Sequence, residues 1–545
     1  MTATSTTLDA PAPARAGRRE WIGLATLALA CLVYVMDLTV LHLAVPAISE
    51  DLQPTSAQLL WIIDIYGFMV AGFLVTMGTL GDRIGRRRLL LIGAAAFGLI
   101  SILAAFSTSA EMLILSRALL GIAGATLAPS TLSLIFSMFT DPGQRSRAIA
   151  IWISAFSAGS AVGPIVGGLL LEQFWWGSVF LIALPVMALL LVLGPIVLPE
   201  YKDPDAGRLD LASAALSLVA VLGVIFGLKQ VAQDGFGPLP FATVAIGLAS
   251  GVLFVRRQFR LEDPMLDLRL FRVPTFLSSL AINFLTIFVA IGYFLFVAQY
   301  LQLVLGLSPL EAGLWSVPSA IGFIIGSNAA PRIVRFVRPA WLMGAGLALA
   351  AIGMGILTQV GVDDGLATVV IASVIISLGL APVFGLTTEL IVGSAPPEQA
   401  GAASGISETG IELGGALGIS ILGSIGVVIY RREITTELPS GVPGGIVDVA
   451  RDTLGGAVGA AAQLPGELGA SLLAVARGAF VDGMQVAAAI CAVLAVGVAV
   501  LAVTSLRGVR PPGAAGADEP GSAITTEHAS STAGSRQAQS PAPGI

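Results

Sequence analysis

The sequence predicts an all-α integral membrane protein with fourteen transmembrane helices. Hydrophobic residues make up 56% of its 545 residues, and charged residues only 11%. A soluble globular chain carries about 25% charged residues, so too few charges remain to cover a water-facing surface of this size. Lipid is therefore the expected solvent for most of the chain. The net charge of −6 comes without a basic run suited to nucleic acid, so no nucleic-acid partner is expected.

Each predicted span is an apolar run of about 20 residues, the length that crosses a bilayer as a helix. Charged residues or Pro/Gly pairs separate one run from the next. The runs lie near 21–46, 59–80, 89–107, 111–138, 148–170, 178–198, 210–228, 239–255, 274–302, 310–330, 340–360, 365–392, 403–430 and 481–505.

The basic residues test this count, because alternate loops should alternate in Lys/Arg content. One set of loops carries many basic residues, among them Arg83, Arg145 and Arg335, whereas the short loops of the other set carry only Lys229. The basic loops and both tails are therefore predicted to be cytoplasmic. The expected location is the cytoplasmic (inner) membrane, with many passes.

The spans predict two related halves and an inserted pair of helices. A faint internal repeat supports the halves, since Asp82-Arg83-Ile84-Gly85-Arg86 follows the second span and Pro331-Arg332-Ile333-Val334-Arg335 follows the tenth. The predicted segments are a disordered tail (1–17), a six-helix bundle (18–200), an inserted helix pair (201–260), a second six-helix bundle (261–506) and a disordered tail (507–545).

A long outward loop, 431–480, belongs to the second bundle. Its stretches 446–463 and 466–480 are rich in Ala, Val and Leu with sparse charges. These stretches predict a short amphipathic helical hairpin.

The residues for ATP hydrolysis or metal chemistry are missing from the sequence. A phosphate-binding P-loop needs a Gly-Lys-Ser/Thr sequence, and the only lysines are Lys202 and Lys229, in other contexts. The two cysteines, Cys31 and Cys491, stand in apolar runs, so neither a disulfide framework nor a metal site is expected. We expect no cofactor and no enzymatic activity.

Ionisable residues inside spans carry the functional signal, because each costs roughly 2.5–3.5 kcal/mol to insert. Asp37 has Tyr34 three residues earlier, and Asp64 has Trp61 and Phe68 on the same helical face. A carboxylate beside aromatic rings suits a lipophilic cation. The alternative for Trp61 is an anchoring role at the membrane interface, shared with the nearby Tyr66.

Two carboxylates in the thirteenth span share one face, since Glu408 and Glu412 are four residues apart. Gly410, Gly414 and Gly418 lie on roughly the opposite face and predict close helix packing. Because burial and mutual repulsion disfavour two charges at once, the pair can take up and release a proton. One of the two carboxylates can instead be structural.

Arg117 in the fourth span requires a carboxylate or a carbonyl as partner. Two interpretations stay open: a static ion pair, or a coupling switch that breaks when the partner is protonated. In the fifth span Gly159, Gly163 and Gly167 form a smooth stripe, and Pro164 removes an amide donor.

These residues together resemble the major facilitator superfamily, and more narrowly its fourteen-helix drug:proton antiporters. Gly78 to Arg88 matches the cytoplasmic loop signature of the superfamily. Arg117 with Gly121 resembles the span 4 motif, Gly159 to Gly168 the antiporter motif, and Asp37 to Pro46 the span 1 motif. Finer similarity to QacA-like and LfrA-like multidrug efflux pumps lies in Trp61 to Tyr66, Pro264 to Asp267, and Ser407 to Gly414.

The resemblance implies alternating access between two six-helix bundles and proton-coupled efflux of lipophilic cations, such as dyes, quaternary ammonium compounds and drugs. Its expected partners are protons, lipophilic cationic small molecules and the lipid bilayer, and the chain is expected to act as a monomer. Phe323 stands where some relatives are expected to carry an acid, which favours monovalent cations. The residues expected to bind substrate are Tyr34, Asp37, Trp61, Asp64, Phe68, Phe323 and Glu408.

The remaining site residues are expected to couple protons or to move the bundles. Asp37, Arg117, Glu408 and Glu412 are the expected proton-coupling residues. The expected conformational residues are Gly78, Asp82, Arg83, Gly85 and Arg86, which form a cytoplasmic latch, and Gly159, Gly163, Pro164 and Gly167.

Three alternatives remain at this point. The cargo can be an endogenous metabolite or antibiotic, with drug export incidental. It can also be a lipid, for which a hydrophobic lateral groove would be the discriminating feature. A receptor or scaffold that transports nothing is the third alternative, but such a role does not need the buried carboxylates.

Overall fold

A computed structural model describes residues 15–54, 56–202, 210–234, 237–261, 264, 266, 268–363, 365–396, 399–437 and 441–509. Most of both predicted tails lies outside these residues, as do the side chains of Pro164 and Lys229. Fourteen helices in the described ranges are long and apolar enough to cross a membrane. They are α1 Arg18–Leu52, α2 Ser56–Ile84, α3 Arg86–Ala105, α4 Ala110–Met138, α5 Pro142–Gln173, α6 Ser178–Val197, α7 Leu211–Asp234, α8 Pro238–Gln258, α9 Pro274–Val304, α10 Pro309–Ile333, α11 Pro339–Leu357, α12 Leu366–Gly393, α13 Ala400–Glu437 and α14 Gly466–Ser505.

The fourteen predicted spans are confirmed, and no strand occurs among the described residues. Helices α1, α13 and α14 extend beyond their predicted apolar runs. Helix α4 contains a break at Ala125 and Thr126 between two helical segments.

The predicted outward hairpin is wrong in its second arm. Residues 466–480 form the first turns of α14, because nothing in that stretch breaks the helix after Pro465 caps its start. Two short loop helices, Gly444–Asp452 and Leu454–Ala461, occupy the first arm. The Tyr430 hydroxyl donates to the Ala450 carbonyl oxygen at 2.8 Å and fixes this loop on α13.

Two separate apolar cores organise the helices. One contains residues from α1 to α6 together with Val392 of α12 and Ala400 of α13. The other contains residues from α9 to α14 and from the short loop helices. Helices α7 and α8 pack on each other, and α7 also packs against α2 and α13. The inserted pair therefore sits beside the junction of the two halves.

Glycine stripes set the distance between helices at two places. A Cβ atom at Gly159 of α5 would lie 2.6 Å from the Leu32 carbonyl oxygen of α1, and one at Gly167 would lie 2.7 Å from Val40. A Cβ atom added at Gly418 of α13 would likewise lie 2.6 Å from the Phe288 carbonyl oxygen of α9. Each stripe joins two helices that belong to the same half. The stripe of α5 therefore sets the distance between α1 and α5 within the first bundle.

Replacement of Gly159 by Ala should therefore lower stability. The new methyl group meets backbone, which cannot move alone, and overpacking of this kind costs about 1–3 kcal/mol. Gly168→Ala in the same helix is the matched control, since nothing lies within 4 Å of its Cβ position. Apparent melting temperatures in detergent should fall for Gly159→Ala only; equal values for both variants would contradict the packing.

Candidate substrate and proton site

The centre of the first half is a buried ion pair. Arg117 of α4 has none of its side-chain surface exposed, and its Nη1 donates to Asp37 Oδ2 of α1. Its Nε donates to the Ile62 carbonyl oxygen of α2 at 3.3 Å. Arg117 therefore has both a carboxylate partner and a carbonyl partner, where the sequence required one of the two.

Tyr66 is the third group that contacts the Arg117 guanidinium. The Arg117 guanidinium lies 4.5 Å from the centre of the Tyr66 ring, a cation–π contact. Tyr66 is fully buried, so the interfacial interpretation of this residue is wrong. Gly121 permits the contact, because a Cβ there would lie 2.5 Å from the Tyr66 carbonyl oxygen. The guanidinium of α4 is thus held by two other helices, α1 and α2.

One nitrogen of Arg117 remains unused. Within the part of the chain that the structure describes, Nη2 is buried without a hydrogen-bond partner. Such a group is costly in a medium of low dielectric constant. It gives the guanidinium a position at which a second partner can bind.

Two carboxylates of α13, in the other half, lie near the tyrosines beside this pair. Glu408 and Glu412 are half-buried, and both lie within electrostatic range of Tyr34. Glu412 also lies within electrostatic range of Tyr66. The ring centres of Tyr34 and Tyr66 are 6.1 Å apart. The two tyrosines therefore stand between the Asp37–Arg117 pair and the α13 carboxylates in this set of interactions.

The other residues predicted for α2 form a second group. Trp61 is 40% exposed, and its ring lies 6.1 Å from that of Phe68. Both rings contact Phe226 of α7. Asp64 is half-buried on the same α2 face, between the two rings in sequence. Phe226 was missed by sequence reasoning, because spacing within one helix does not reveal which helix packs against it.

Phe323 of α10 lies at the contact of the two halves. It is half-buried, its ring lies 6.1 Å from that of Phe384, and it packs against the core of the first half. It does not join the α2 aromatic residues among the described ring contacts.

The residues predicted to form a latch join the two halves on the basic side, the side that carries Arg83 to Arg88. Arg86 Nε donates to Asp82 Oδ1 at 2.8 Å, and the Ala402 backbone N–H donates to Asp82 Oδ2 at 3.0 Å. The carboxylate thus caps the start of α13, where the helix dipole favours a negative charge. Gly78 contacts the Gly401 carbonyl oxygen and lets α2 and α13 approach.

Gly85 makes the turn from α2 to α3. Its φ of +108° belongs to a region that L-residues with a side chain rarely adopt, and a Cβ would lie 2.6 Å from Glu200 Oε1. Arg83 in the same turn is half-buried. The loop signature therefore fixes a backbone shape as well as a charge.

A second contact between the halves was missed. The Ser146 hydroxyl of α5 lies 2.7 and 2.6 Å from the two carboxylate oxygens of Glu389 in α12. Nearby, Asn328 of α10 donates to the Ser154 hydroxyl of α5 at 2.8 Å. Glu389 lies within the predicted span 365–392, so the rule that singled out the other buried carboxylates also applies to it.

Comparison with known proteins gives consistent results along the chain. Residues 27–419 match the family model described as Major Facilitator Superfamily. The chain is 45% identical to "Multidrug efflux pump LfrA" of Mycolicibacterium smegmatis, over 92% of this chain and 98% of the relative. It is 35% identical to "Methyl viologen resistance protein SmvA" of Salmonella typhimurium, over 86% of this chain and 94% of the relative.

A third relative and two solved structures add to this. The chain is 32% identical to "Tetracenomycin C resistance and export protein" of Streptomyces glaucescens, over 89% of this chain and 91% of the relative. The human organic anion transporter MFSD10 has a similar fold, with a TM-score of 0.57, 16% identity and coverage of 87% and 99%. A bacterial homologue of the lysosomal transporter Spinster has a TM-score of 0.52, 19% identity and coverage of 90% and 98%.

Asp37→Asn should lower stability, because it leaves the buried Arg117 charge without its carboxylate. Removing one partner of a buried pair costs about 3–5 kcal/mol. A double variant, Asp37→Asn with Arg117→Met, leaves no buried charge and should recover much of the melting temperature. A single variant as stable as the unmodified protein would contradict the pair.

Proposed function

The chain belongs to the Major Facilitator Superfamily, and we propose that it exports lipophilic, mainly monovalent organic cations across the cytoplasmic membrane in exchange for protons. It is a membrane transporter and not an enzyme, and its relatives are named for multidrug efflux and drug resistance. One observation carries the proposal: Tyr66 lies against Arg117 of the Asp37–Arg117 pair and within electrostatic range of Glu412 from the other half. Its neighbour Tyr34 lies within electrostatic range of both Glu408 and Glu412.

The attraction for a cation comes from the carboxylates of the site. Asp37 pairs with Arg117 in this conformation, and we assign the binding of the cation to Glu408, with Glu412 and Asp64 as further acidic side chains of the site. Tyr34 offers a ring face beside them, and a cation over such a face gains about 0.5–2 kcal/mol. A lipophilic monocation satisfies both requirements.

Proton exchange follows from competition for the same carboxylates. A bound cation favours their charged form, and a proton from outside neutralises them and releases the cation. Protonation of Asp37 would weaken its ion pair and free Arg117 for another partner. The unused Nη2 of Arg117 supports this switch over a static pair.

The latch gives the proposed cycle its two states. Basic loops face the cytoplasm, so the Asp82–Ala402 and Ser146–Glu389 contacts hold the cytoplasmic side closed. Opening that side breaks both contacts while each half keeps its own core. We propose that Gly78, Arg83 and Arg86 govern this step and that a monomer carries out the cycle.

Export of an antibiotic or another endogenous metabolite is the second candidate. The Streptomyces relative is named for resistance to and export of tetracenomycin C. Uncharged antibiotics would bind the aromatic residues without the carboxylates. Neutralising Glu408 and Glu412 would then leave the binding affinity for such an antibiotic unchanged.

Efflux in proteoliposomes should require a proton gradient and no ATP. Electroneutral exchange of one proton for one monocation is driven by roughly 1.4 kcal/mol per pH unit. Two protons per cation would add about 2.3 kcal/mol per 100 mV of membrane potential. Ethidium transport should appear on imposing a pH gradient and vanish with an uncoupler; transport with ATP alone would refute the coupling.

Monovalent cations should be exported better than dications. A second fixed charge needs a second desolvated counter-charge, and at least one carboxylate must also carry the proton. Methyl viologen, for which the Salmonella relative is named, is a dication and thus a discriminating probe. Phe323→Asp should raise its export relative to ethidium, with Phe323→Leu as control. Equal export of both probes by the unmodified protein would contradict the preference.

A further inference from the structure

Three aromatic rings form a closed cluster beside the junction of the halves. The ring centres of Trp61 and Phe68 are 6.1 Å apart, those of Trp61 and Phe226 6.1 Å, and those of Phe68 and Phe226 6.2 Å. Trp61 and Phe226 are nearly parallel, with 15° between their planes. We call these three residues the aromatic triangle.

The triangle joins two helices, α2 and α7, and α7 belongs to the inserted pair. Phe68 packs with Ile225 of α7 and Ala416 of α13 in one apolar cluster, which Leu413 also joins. The Ser420 hydroxyl of α13 donates to the Leu228 carbonyl oxygen of α7 at 2.8 Å. Leu413 follows Glu412 directly, so the cluster adjoins the carboxylates of α13.

The inserted pair holds its ring in a fixed place. Arg257 at the end of α8 donates to both carboxylate oxygens of Asp210 at the start of α7, at 2.7 and 3.1 Å. Those hydrogen bonds hold the pKa of Asp210 well below its usual range. Gly223 of α7 and Gly247 of α8 bring the two backbones together. Phe226 therefore lies on a helix, α7, that is fixed to α8 by these contacts.

The triangle offers a place for a ligand. Trp61 is 40% exposed although Phe226 stacks against it and Phe68 is buried. Aromatic rings pack onto such surfaces in offset or edge-on geometry, for about 0.5–1.5 kcal/mol beyond burial. Asp64 lies one turn from Trp61 and one turn from Phe68 on α2, which places a carboxylate beside the rings.

We propose that the inserted helix α7 is part of the substrate site: Trp61, Phe68 and Phe226, with Asp64, form a subsite for planar aromatic cations. This proposal rests on the function proposed above and adds the substrate class. The subsite explains why a transporter with two complete bundles packs a third element against α2 and α13. A flat cation stacks on Trp61 and then reaches the α13 carboxylates.

Phe226→Leu tests the subsite, because it removes the ring while keeping an apolar side chain. The probe is ethidium, a planar aromatic monocation, titrated by fluorescence onto purified full-length protein in nanodiscs. Loss of one stacking face should raise its Kd about fivefold. Tetradecyltrimethylammonium, a cation without a ring, competes for the same carboxylates and should keep its inhibition constant within about twofold.

Two controls separate stacking from packing. Phe241→Leu changes a 61% exposed ring on α8 and should leave both constants unchanged. Phe226→Tyr keeps the ring and should keep ethidium binding. Equal weakening of both cations by Phe226→Leu, or no effect on either, would overturn the subsite and leave the rings with a structural or interfacial role.

Binding of the two cations by the unmodified protein distinguishes failure of the proposed function from failure of the subsite. If it binds neither cation, the proposed function and the subsite that rests on it are both overturned. If it binds both and Phe226→Leu matches it, only the subsite fails. Melting temperatures of the variants, which should lie close to that of the unmodified protein, confirm that binding is measured on folded protein.

Discussion

The arrangement of this transporter depends on the cost of burying the Arg117 guanidinium within the membrane. That charge is tolerated because α1 supplies the Asp37 carboxylate and α2 supplies both a carbonyl oxygen and the Tyr66 ring. Three helices must therefore keep a common register, which Gly121 allows by letting α4 approach α2. The same register turns Tyr34 toward the carboxylates of the other half.

Helix α13 connects this site with the closure of the basic side. Its first turn is capped by Asp82 of the first half through Ala402, and Glu408 stands six residues further on, about 9 Å along the helix axis. Its glycine stripe packs on α9, so the helix moves with the second half. In the proposed cycle, a change of charge at Glu408 or Glu412 acts on the helix whose start forms the latch.

The sequence predicted the fold better than the contacts between the side chains that it singled out. Composition, span length and Lys/Arg alternation sufficed for the fourteen helices, because the bilayer imposes these on any chain. The sequence left open which of several carboxylates compensates Arg117, because spacing along one helix does not show which helices pack against it. For the same reason Phe226 was missed, whereas Glu389 was recognisable and overlooked. The prediction of a second hairpin arm was wrong because residues 466–505 form one continuous apolar helix. No residue after 480 breaks that helix, so nothing in the sequence supported a division there.

The most direct test of the central claim is proton release on substrate binding. In weakly buffered solution, addition of ethidium to the purified protein should release protons in proportion to the bound cation, because cation and proton compete for the α13 carboxylates. Replacement of both Glu408 and Glu412 by Gln should abolish the release while residual aromatic binding remains. Cation binding without any proton release by the unmodified protein, at pH values from about 6 to 8, would contradict the account.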